Sequence, residues 1–463
     1  MDSDVNTLLQ ATGGRRIDPG QGAPPFSGVS IDSRTAQAGQ VFFCLRGPRF
    51  DGHDFLQEAF RKKVAGVVLS DPARLPARTE NHRPFVVQVP DTLRALQDLA
   101  HHHRRSLNPR VLAITGTNGK STTKELAAQV VATRFRTLKS EGNLNNHIGL
   151  PLNLLKLQPG DEVAVLEMGM SDRGEIARLC RIAEPDIGMI TNISEAHLVH
   201  LKSVQEVQQA KGELFEALDE QATALVNADD PLVLELVRAL RAHVITFGLS
   251  SPADVRGEDI RPAGLGYEFT LVAGGRRVPV RFPFPGRHNV MNAVAAAAAG
   301  RALGIETPEI ARALESARLP AQRTELRHHG GLLIINDSYN ANPQSMQEAL
   351  RTLKEIQSPG RRFLVMGDML ELGEQEVPAH RRLGRQVAAG GIDYLVTVGP
   401  LARLAREAAR EAGMPADRAL AFDSREEAAA FLKREARPED CLLFKGSRGA
   451  RMEQVLDLLL RES

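Results

Sequence analysis

The stretch Arg110–Val131, RVLAITGTNGKSTTKELAAQVV, constrains the fold of this chain more than any other. An apolar run (Val111–Ile114) leads into Gly116-Thr117-Asn118-Gly119-Lys120-Ser121-Thr122, and Leu126, Val130 and Val131 mark the apolar face of a following helix. Glycines let successive backbone N–H groups turn toward an anion, and the helix start adds the positive end of its dipole. Lys120 is placed to reach the terminal phosphates of a nucleotide, and the hydroxyl of Ser121 or Thr122 to hold Mg²⁺. The general pattern GxxxxGK[ST] requires its first glycine where this chain has Ile114, so the motif is one glycine short. The competing reading is an incidental glycine-rich turn. The strand before and the helix after favour the phosphate loop.

Around this unit the chain divides into three. Its 463 residues suggest about three domains. Residues 1–108 carry short apolar runs, VFFCL (Val41–Leu45), AGVVLS (Ala65–Ser70) and FVVQV (Phe85–Val89), which read as strands of a small α/β domain. Asn108-Pro109 is a turn signal. Residues 109–318 alternate apolar strands with helical stretches, as a central P-loop-type ATPase domain with a mostly parallel sheet would. The alternation restarts in residues 319–463 with Leu332–Asn336, Phe363–Gly367, Tyr394–Gly399 and Cys441–Gly446, a C-terminal Rossmann-like domain. The expected class is α/β.

Composition excludes several partners. Aromatic residues are 4% of the chain with no Trp, and the formal net charge is +1. Neither stacking platforms nor a basic field for nucleic acid or a membrane surface is expected. Cys44, Cys180 and Cys441 lie far apart, so neither a disulfide framework nor a structural zinc site is predicted. The N-terminal MDSDVNTLLQATGG lacks the features of a secretory signal, and no run approaches the ~18 apolar residues of a membrane span, so a cytoplasmic protein is expected. The apolar run Ala293–Ala299 reads as a buried helix segment, and His101–His103 as a solvated helix end before a linker rather than a metal tract.

Three further residues could carry chemistry. Glu167 ends the apolar run VAVLE, where a doubly wound sheet binds ligands, and could hold Mg²⁺ or be a solvated strand-end acid. His197, in TNISEAHLVHL, reads by itself as a polar loop residue. Lys211 falls near the centre of a helical stripe formed by Val204, Val207, Leu214, Phe215 and Leu218. Either it snorkels to solvent, or it projects into a site where desolvation makes the amine reactive.

Together these segments resemble the Mur ligases, ATP-dependent amide ligases of peptidoglycan synthesis, over essentially the whole chain. TGTNGKSTTKE is similar to their ATP loop, including its shortened glycine spacing. SEGNLNNHIGLPLNLL, LEMGMSDRGEIARL, TNISEAHLVHL, QAKGELF, PGRHNVMNAVAAAA, INDSYNANPQSM and FKGSRGARMEQVL follow in the family's order. GNLNNHIGLP, EMGMSDRGEIA, DSYNANPQSM and MGDMLELGE resemble the branch that adds D-alanyl-D-alanine to UDP-N-acetylmuramoyl-tripeptide. VSIDSRTAQAGQVFFCLRGPRFDGHDF resembles the uridine-nucleotide domain shared with the preceding ligase. That neighbour, which adds a single amino acid, carries a DNPR motif; here Asn342-Pro343 is followed by Gln344.

The resemblance implies ATP and Mg²⁺ as cofactors, with Lys120 and the loop residues Gly116, Thr117, Asn118, Gly119, Ser121 and Thr122 on the phosphates. It implies Glu167, with Ser121 or Thr122, on one Mg²⁺, and His197 and Lys211 serving a second, the lysine carbamylated by CO₂. Asn292 and Arg323 match nucleotide-contacting positions and Asp337 one near the ribose. Asn143 lies where the muramoyl substrate meets the ATP domain, and Ser33 and Arg34 match a uridine-site DSR motif. A monomer without nucleic-acid partners is expected. A regulatory P-loop switch is the rival from another class, but the chain has no Asn-Lys pair of the kind that reads guanine. A folylpolyglutamate-synthase-type ligase would lack the DSR…DGH segment.

Overall fold

A computed structural model describes residues 1–18, 24–76, 84–195, 201–250 and 252–461. It is an α/β structure in two compact units: residues 1–113, 135–170 and 174–186 form the first, and residues 114–134, 171–173 and 187–463 the second.

In the first unit a five-stranded sheet runs Arg15–Arg16, Phe85–Gln88, Gly66–Leu69, Val41–Phe43, Val29–Ser30. Only the Arg15–Arg16 edge is antiparallel to its neighbour. Phe42, Val67 and Val86 pack one face against Leu56, Ala59 and Phe60. Helix Thr92–Leu107 starts where the Asp91 carboxylate accepts the N–H groups of Leu93 and Arg94, and stops at Asn108 in the left-handed conformation. His101–His103 lie inside this helix and do not form a solvated end. His103 is buried, its Nε2 3.0 Å from the carbonyl of Leu157, and His101 Nδ1 is 3.2 Å from that of Ile182. One turn on, Arg104 donates from Nε to the carbonyl of Ala183 and from Nη2 to that of Glu184, each at 2.8 Å. It thereby satisfies the end of helix Glu175–Ala183. Strands Thr137–Lys139 and Val163–Glu167 run parallel in the same unit, the second entirely buried.

In the second unit strands Ile187–Ile190, Thr223–Asn227, His243–Gly248 and Val255–Ala263 are successive parallel neighbours. The sheet then turns antiparallel through Gly266–Ala273 and Arg276–Phe282. These hairpins were not legible from apolar runs, because strands with one wet face carry many charges, as RRVPVRF does. Helix Arg287–Ala302 is buried continuously from Asn292 to Gly300, as the alanine run predicts. Beyond it a six-stranded sheet has the order Glu325–His329, Leu332–Asn336, Cys441–Lys445, Arg362–Gly367, Tyr394–Val398, Ala419–Phe422. All pairs but the first are parallel, and apolar clusters cover both faces, the doubly wound arrangement. Among the described residues no helix is long and apolar enough to cross a membrane.

Candidate active site

The phosphate loop joins strand Arg110–Thr115 to helix Lys120–Val131. Ile114, at the position of the missing glycine, is a fully buried strand residue. The turn is made by Gly116, two residues later, with φ +146°, and by Gly119 with φ +81°. A Cβ on Gly116 would stand 1.9 Å from Thr191 Oγ1, and one on Gly119 2.4 Å from Asn292 Oδ1, so both positions need glycine for space as well as for backbone freedom. Residues after strand Ile187–Ile190 hold the loop from outside. The Asn192 carbonyl accepts the Thr117 N–H at 2.8 Å, Asn192 Oδ1 accepts the Asn118 N–H at 2.9 Å, and Thr191 Oγ1 donates to the Asn118 carbonyl at 2.7 Å. Among the described residues no side chain caps helix Lys120–Val131, which leaves its first N–H groups to face an anion.

Lys120 Nζ folds over the loop and donates to the carbonyls of Gly116 (2.8 Å) and Thr117 (3.0 Å). Lys211, on helix Val204–Glu216, donates to that same Gly116 carbonyl at 3.1 Å. It is 2% exposed, so it does not snorkel. Burial first, and the neighbouring charge of Lys120 second, push its amine well below the ordinary value of 10.5. Thr122 is buried, and Ser121 Oγ accepts from Arg323 Nη2 at 3.0 Å. Asn292 accepts the Thr123 hydroxyl at 3.2 Å and donates to Asn289 Oδ1 at 3.2 Å. Asp337 Oδ1 accepts the Thr324 N–H at 3.1 Å, and Oδ2 pairs with buried Lys445.

Two contacts escaped the sequence reading although their motifs were visible in it. Asn342 Nδ2 donates to Asn118 Oδ1 at 2.7 Å, and Asn118 Nδ2 donates to Gln344 Oε1 at 2.8 Å. The tip of the phosphate loop is thus clasped by the start of helix Pro343–Glu355, which Asn342 also caps through the Ser345 N–H.

The remaining expected residues lie in the first unit, apart from His197, which falls outside the described residues. Glu167 is 3% exposed, not a solvated strand end. Its Oε1 accepts from Asn145 Nδ2 at 2.8 Å, and its backbone N–H donates to Ser140 Oγ at 3.1 Å. Its Oε2 is buried with no hydrogen-bond partner among the described residues. A carboxylate oxygen in that state fits a cation, because an unpaired buried charge is costly. Among the described residues no group of three His, Cys, Asp or Glu could hold a metal. A hard cation at Oε2 would need further oxygen ligands to complete its shell, as Mg²⁺ does. Asn143 is exposed, its carbonyl accepting the Asn145 N–H at 2.8 Å. Of the pair expected at a uridine site, Ser33 is buried and donates to Glu58 Oε2 at 2.5 Å, whereas Arg34 extends outward, held by Asp32 at 2.6 Å.

This arrangement has close relatives. The family description "Mur ligase family, catalytic domain" matches residues 25–104, "Mur ligase middle domain" residues 114–300, and "Mur ligase, glutamate ligase domain" residues 322–448. The UDP-N-acetylmuramoyl-tripeptide–D-alanyl-D-alanine ligase of Bacillus subtilis (strain 168) is 37% identical over 98% of both chains. The crystal structure of MurF from Acinetobacter baumannii superposes with a TM-score of 0.90 at 31% identity, covering 100% of this chain and 99% of that one. MurF ligase from Thermotoga maritima, solved in complex with ADP, gives 0.82 at 28% identity over 93% and 96%. With its three segments matched in order and its phosphate loop built as described, the chain belongs to the Mur ligase family.

Proposed function

We propose that the protein is the ATP-dependent ligase that joins D-alanyl-D-alanine to UDP-N-acetylmuramoyl-tripeptide, a cytoplasmic step in peptidoglycan precursor synthesis carried out by a monomer. The observation that carries this reading is the phosphate loop, with two lysines on the Gly116 carbonyl and an open helix start. The names of the relatives from Bacillus subtilis and from Escherichia coli (strain K12), both UDP-N-acetylmuramoyl-tripeptide–D-alanyl-D-alanine ligases, supply the substrates. Domain limits of 1–108, 109–318 and 319–463 are proposed for uridine-nucleotide recognition, ATP activation and acceptor binding. In support of this reading, each of the matched segments 25–104, 114–300 and 322–448 falls within one of these limits.

A carboxylate is a poor electrophile, so an amide forms in water only after activation. The terminal carboxylate of the tripeptide takes the γ-phosphoryl group of ATP, giving an acyl phosphate and ADP. The amine of D-alanyl-D-alanine attacks that carbon, and the tetrahedral adduct expels phosphate. Positioning and neutralisation of charge carry such reactions. Lys120 and the N–H groups of Gly116–Thr122 would bind the phosphates. Asn292, Arg323 and Asp337 would orient the nucleotide, and Ser33, Arg34 and Asn143 the UDP-linked substrate. Mg²⁺, when bound, would neutralise the phosphoryl oxygens, with Glu167 and the Ser121 or Thr122 hydroxyl as protein ligands.

Lys211 suits carbamylation. A lysine kept neutral by burial can attack CO₂, forming a carbamate and releasing one proton. The anion so made would serve, with His197, a cation near the acyl carboxylate. Incubation with ATP, Mg²⁺ and UDP-N-acetylmuramoyl-tripeptide should release phosphate and form pentapeptide only when D-alanyl-D-alanine is present. Equal turnover with UDP-muramoyl-dipeptide and a single diamino acid would overturn the specificity.

A further inference from the structure

Arg323 sits on a strained turn with two unusual neighbours. Both flanking residues, Gln322 (φ +63°) and Thr324 (φ +52°), adopt the left-handed conformation without being glycine, a strain that persists only where surroundings impose it. Here the Tyr339 N–H donates to the Gln322 carbonyl at 3.2 Å, and Asp337 Oδ1 accepts the Thr324 N–H at 3.1 Å. Above the turn, the Arg323 guanidinium carbon lies 3.8 Å from the centre of the Tyr339 ring. Arg448 reaches the same ring at 5.9 Å and donates to Gln322 Oε1 at 3.0 Å. Outside the ring, Arg323 Nη2 ends on Ser121 Oγ in the phosphate loop.

We propose that Tyr339 is a positioning residue for nucleotide binding: its ring fixes the Arg323 guanidinium beside the phosphate loop, and Arg448 braces the strained turn that presents it. The inference rests on the ATP-dependent reading above. Arginine is a long, rotamer-rich side chain, and an unsupported one loses that freedom when it meets a phosphate. A guanidinium already held over an aromatic face and tied to Ser121 has lost it in advance. The Tyr339 hydroxyl has no hydrogen-bond partner among the described residues, so the flat ring, not the hydroxyl, is the working part.

The test is Tyr339→Phe and Tyr339→Leu in the full-length protein, with Arg323→Lys alone and in the Leu background. Nucleotide affinity is measured by calorimetry with a non-hydrolysable ATP analogue and Mg²⁺, beside steady-state kinetics and thermal melts. Tyr339→Phe should match the wild type. Tyr339→Leu should weaken analogue binding and raise KM for ATP about tenfold, with kcat within about twofold and the melt unchanged. The double variant should bind no worse than Arg323→Lys alone. Normal binding by Tyr339→Leu, a loss equal in Tyr339→Phe and Tyr339→Leu, or additive losses with Arg323→Lys would each overturn the proposal. A wild type that binds the analogue but makes no pentapeptide refutes the ligase reading only. One that binds no analogue refutes both.

Discussion

Lys211 Nζ lies 3.1 Å from the carbonyl oxygen of Gly116, the same oxygen that Lys120 Nζ approaches at 2.8 Å. Burial first, and the charge of Lys120 on the same acceptor second, push the amine of Lys211 well below its ordinary value. The unfolded chain keeps a proton on Lys211 up to about 10.5, whereas the folded chain releases it at lower pH. In that window the unfolded state binds more protons, so this residue makes stability rise with pH, by up to about 1.4 kcal/mol per pH unit. Lys211→Met should remove that rise and be the more stable protein near neutrality, in urea titrations run in CO₂-free buffer. Parallel stability curves for the two proteins would show the amine to be charged in the fold. The same variant should lose turnover by about 100-fold.

Glu167 and Asn145 should separate in their response to Mg²⁺. Asn145 holds Oε1, and Oε2 has no hydrogen-bond partner among the described residues. Asn145→Ala frees the carboxylate to rotate, so activity should fall about tenfold and recover at high Mg²⁺. Glu167→Gln removes the charge itself, and added Mg²⁺ should not restore it. Manganese titration by electron paramagnetic resonance should show the same order, and equal Mn²⁺ affinity in all three proteins would remove Glu167 from the cation site.

Gly119→Ala should cut ATP affinity at least about tenfold, since a left-handed alanine costs about 1–2 kcal/mol before any clash. Its Cβ would also meet Asn292 Oδ1 at 2.4 Å. Adding Asn292→Ala relieves the clash but not the backbone strain, so nucleotide titrations should show a partial rescue at most.

Asn342 caps helix Pro343–Glu355 and also donates to Asn118. Asn342→Ala should destabilise by about 1 kcal/mol, lowering the melting temperature by about 2 °C. Gln344→Ala touches Asn118 but no cap, and should leave the melt unchanged. Differential scanning calorimetry distinguishes a cap from a loop clasp, and equal melting shifts would mean that the clasp stabilises.

Cys44 and Cys441 are fully buried, and burial raises both thiols, that of Cys441 to about 12. With Cys180 also buried, the native protein should resist alkylation at pH 8 and yield three reactive thiols on unfolding. Rapid native labelling would indicate local opening.

Periodicity carried most of the fold. Val41–Phe43, Gly66–Leu69, Phe85–Gln88 and four of the five parallel strands of the C-terminal sheet stand where apolar runs predict them, because a strand covered on both faces leaves a continuous apolar signature; the fifth, the short edge strand Ala419–Phe422, is not predicted. The charged strands Val255–Ala263 and Arg276–Phe282 leave no such run. His103 was misread because a histidine that satisfies a remote carbonyl looks, in sequence, like one facing water.

By itself the sequence determined the glycine loop between strand and helix, the acid at the end of strand Val163–Glu167 and the place of Lys211 on the apolar stripe of its helix, all of which follow from spacing along a single element. Tertiary structure alone decided that burial pushes the Lys211 amine well below its ordinary value, that one oxygen of Glu167 has no hydrogen-bond partner among the described residues, and that the Arg323 guanidinium sits over Tyr339. Asn118 likewise meets Asn342 only after 224 residues of chain have folded back. The reason is physical: helical and strand periods are local, whereas desolvation, pairing and stacking depend on atoms that distant segments bring into contact.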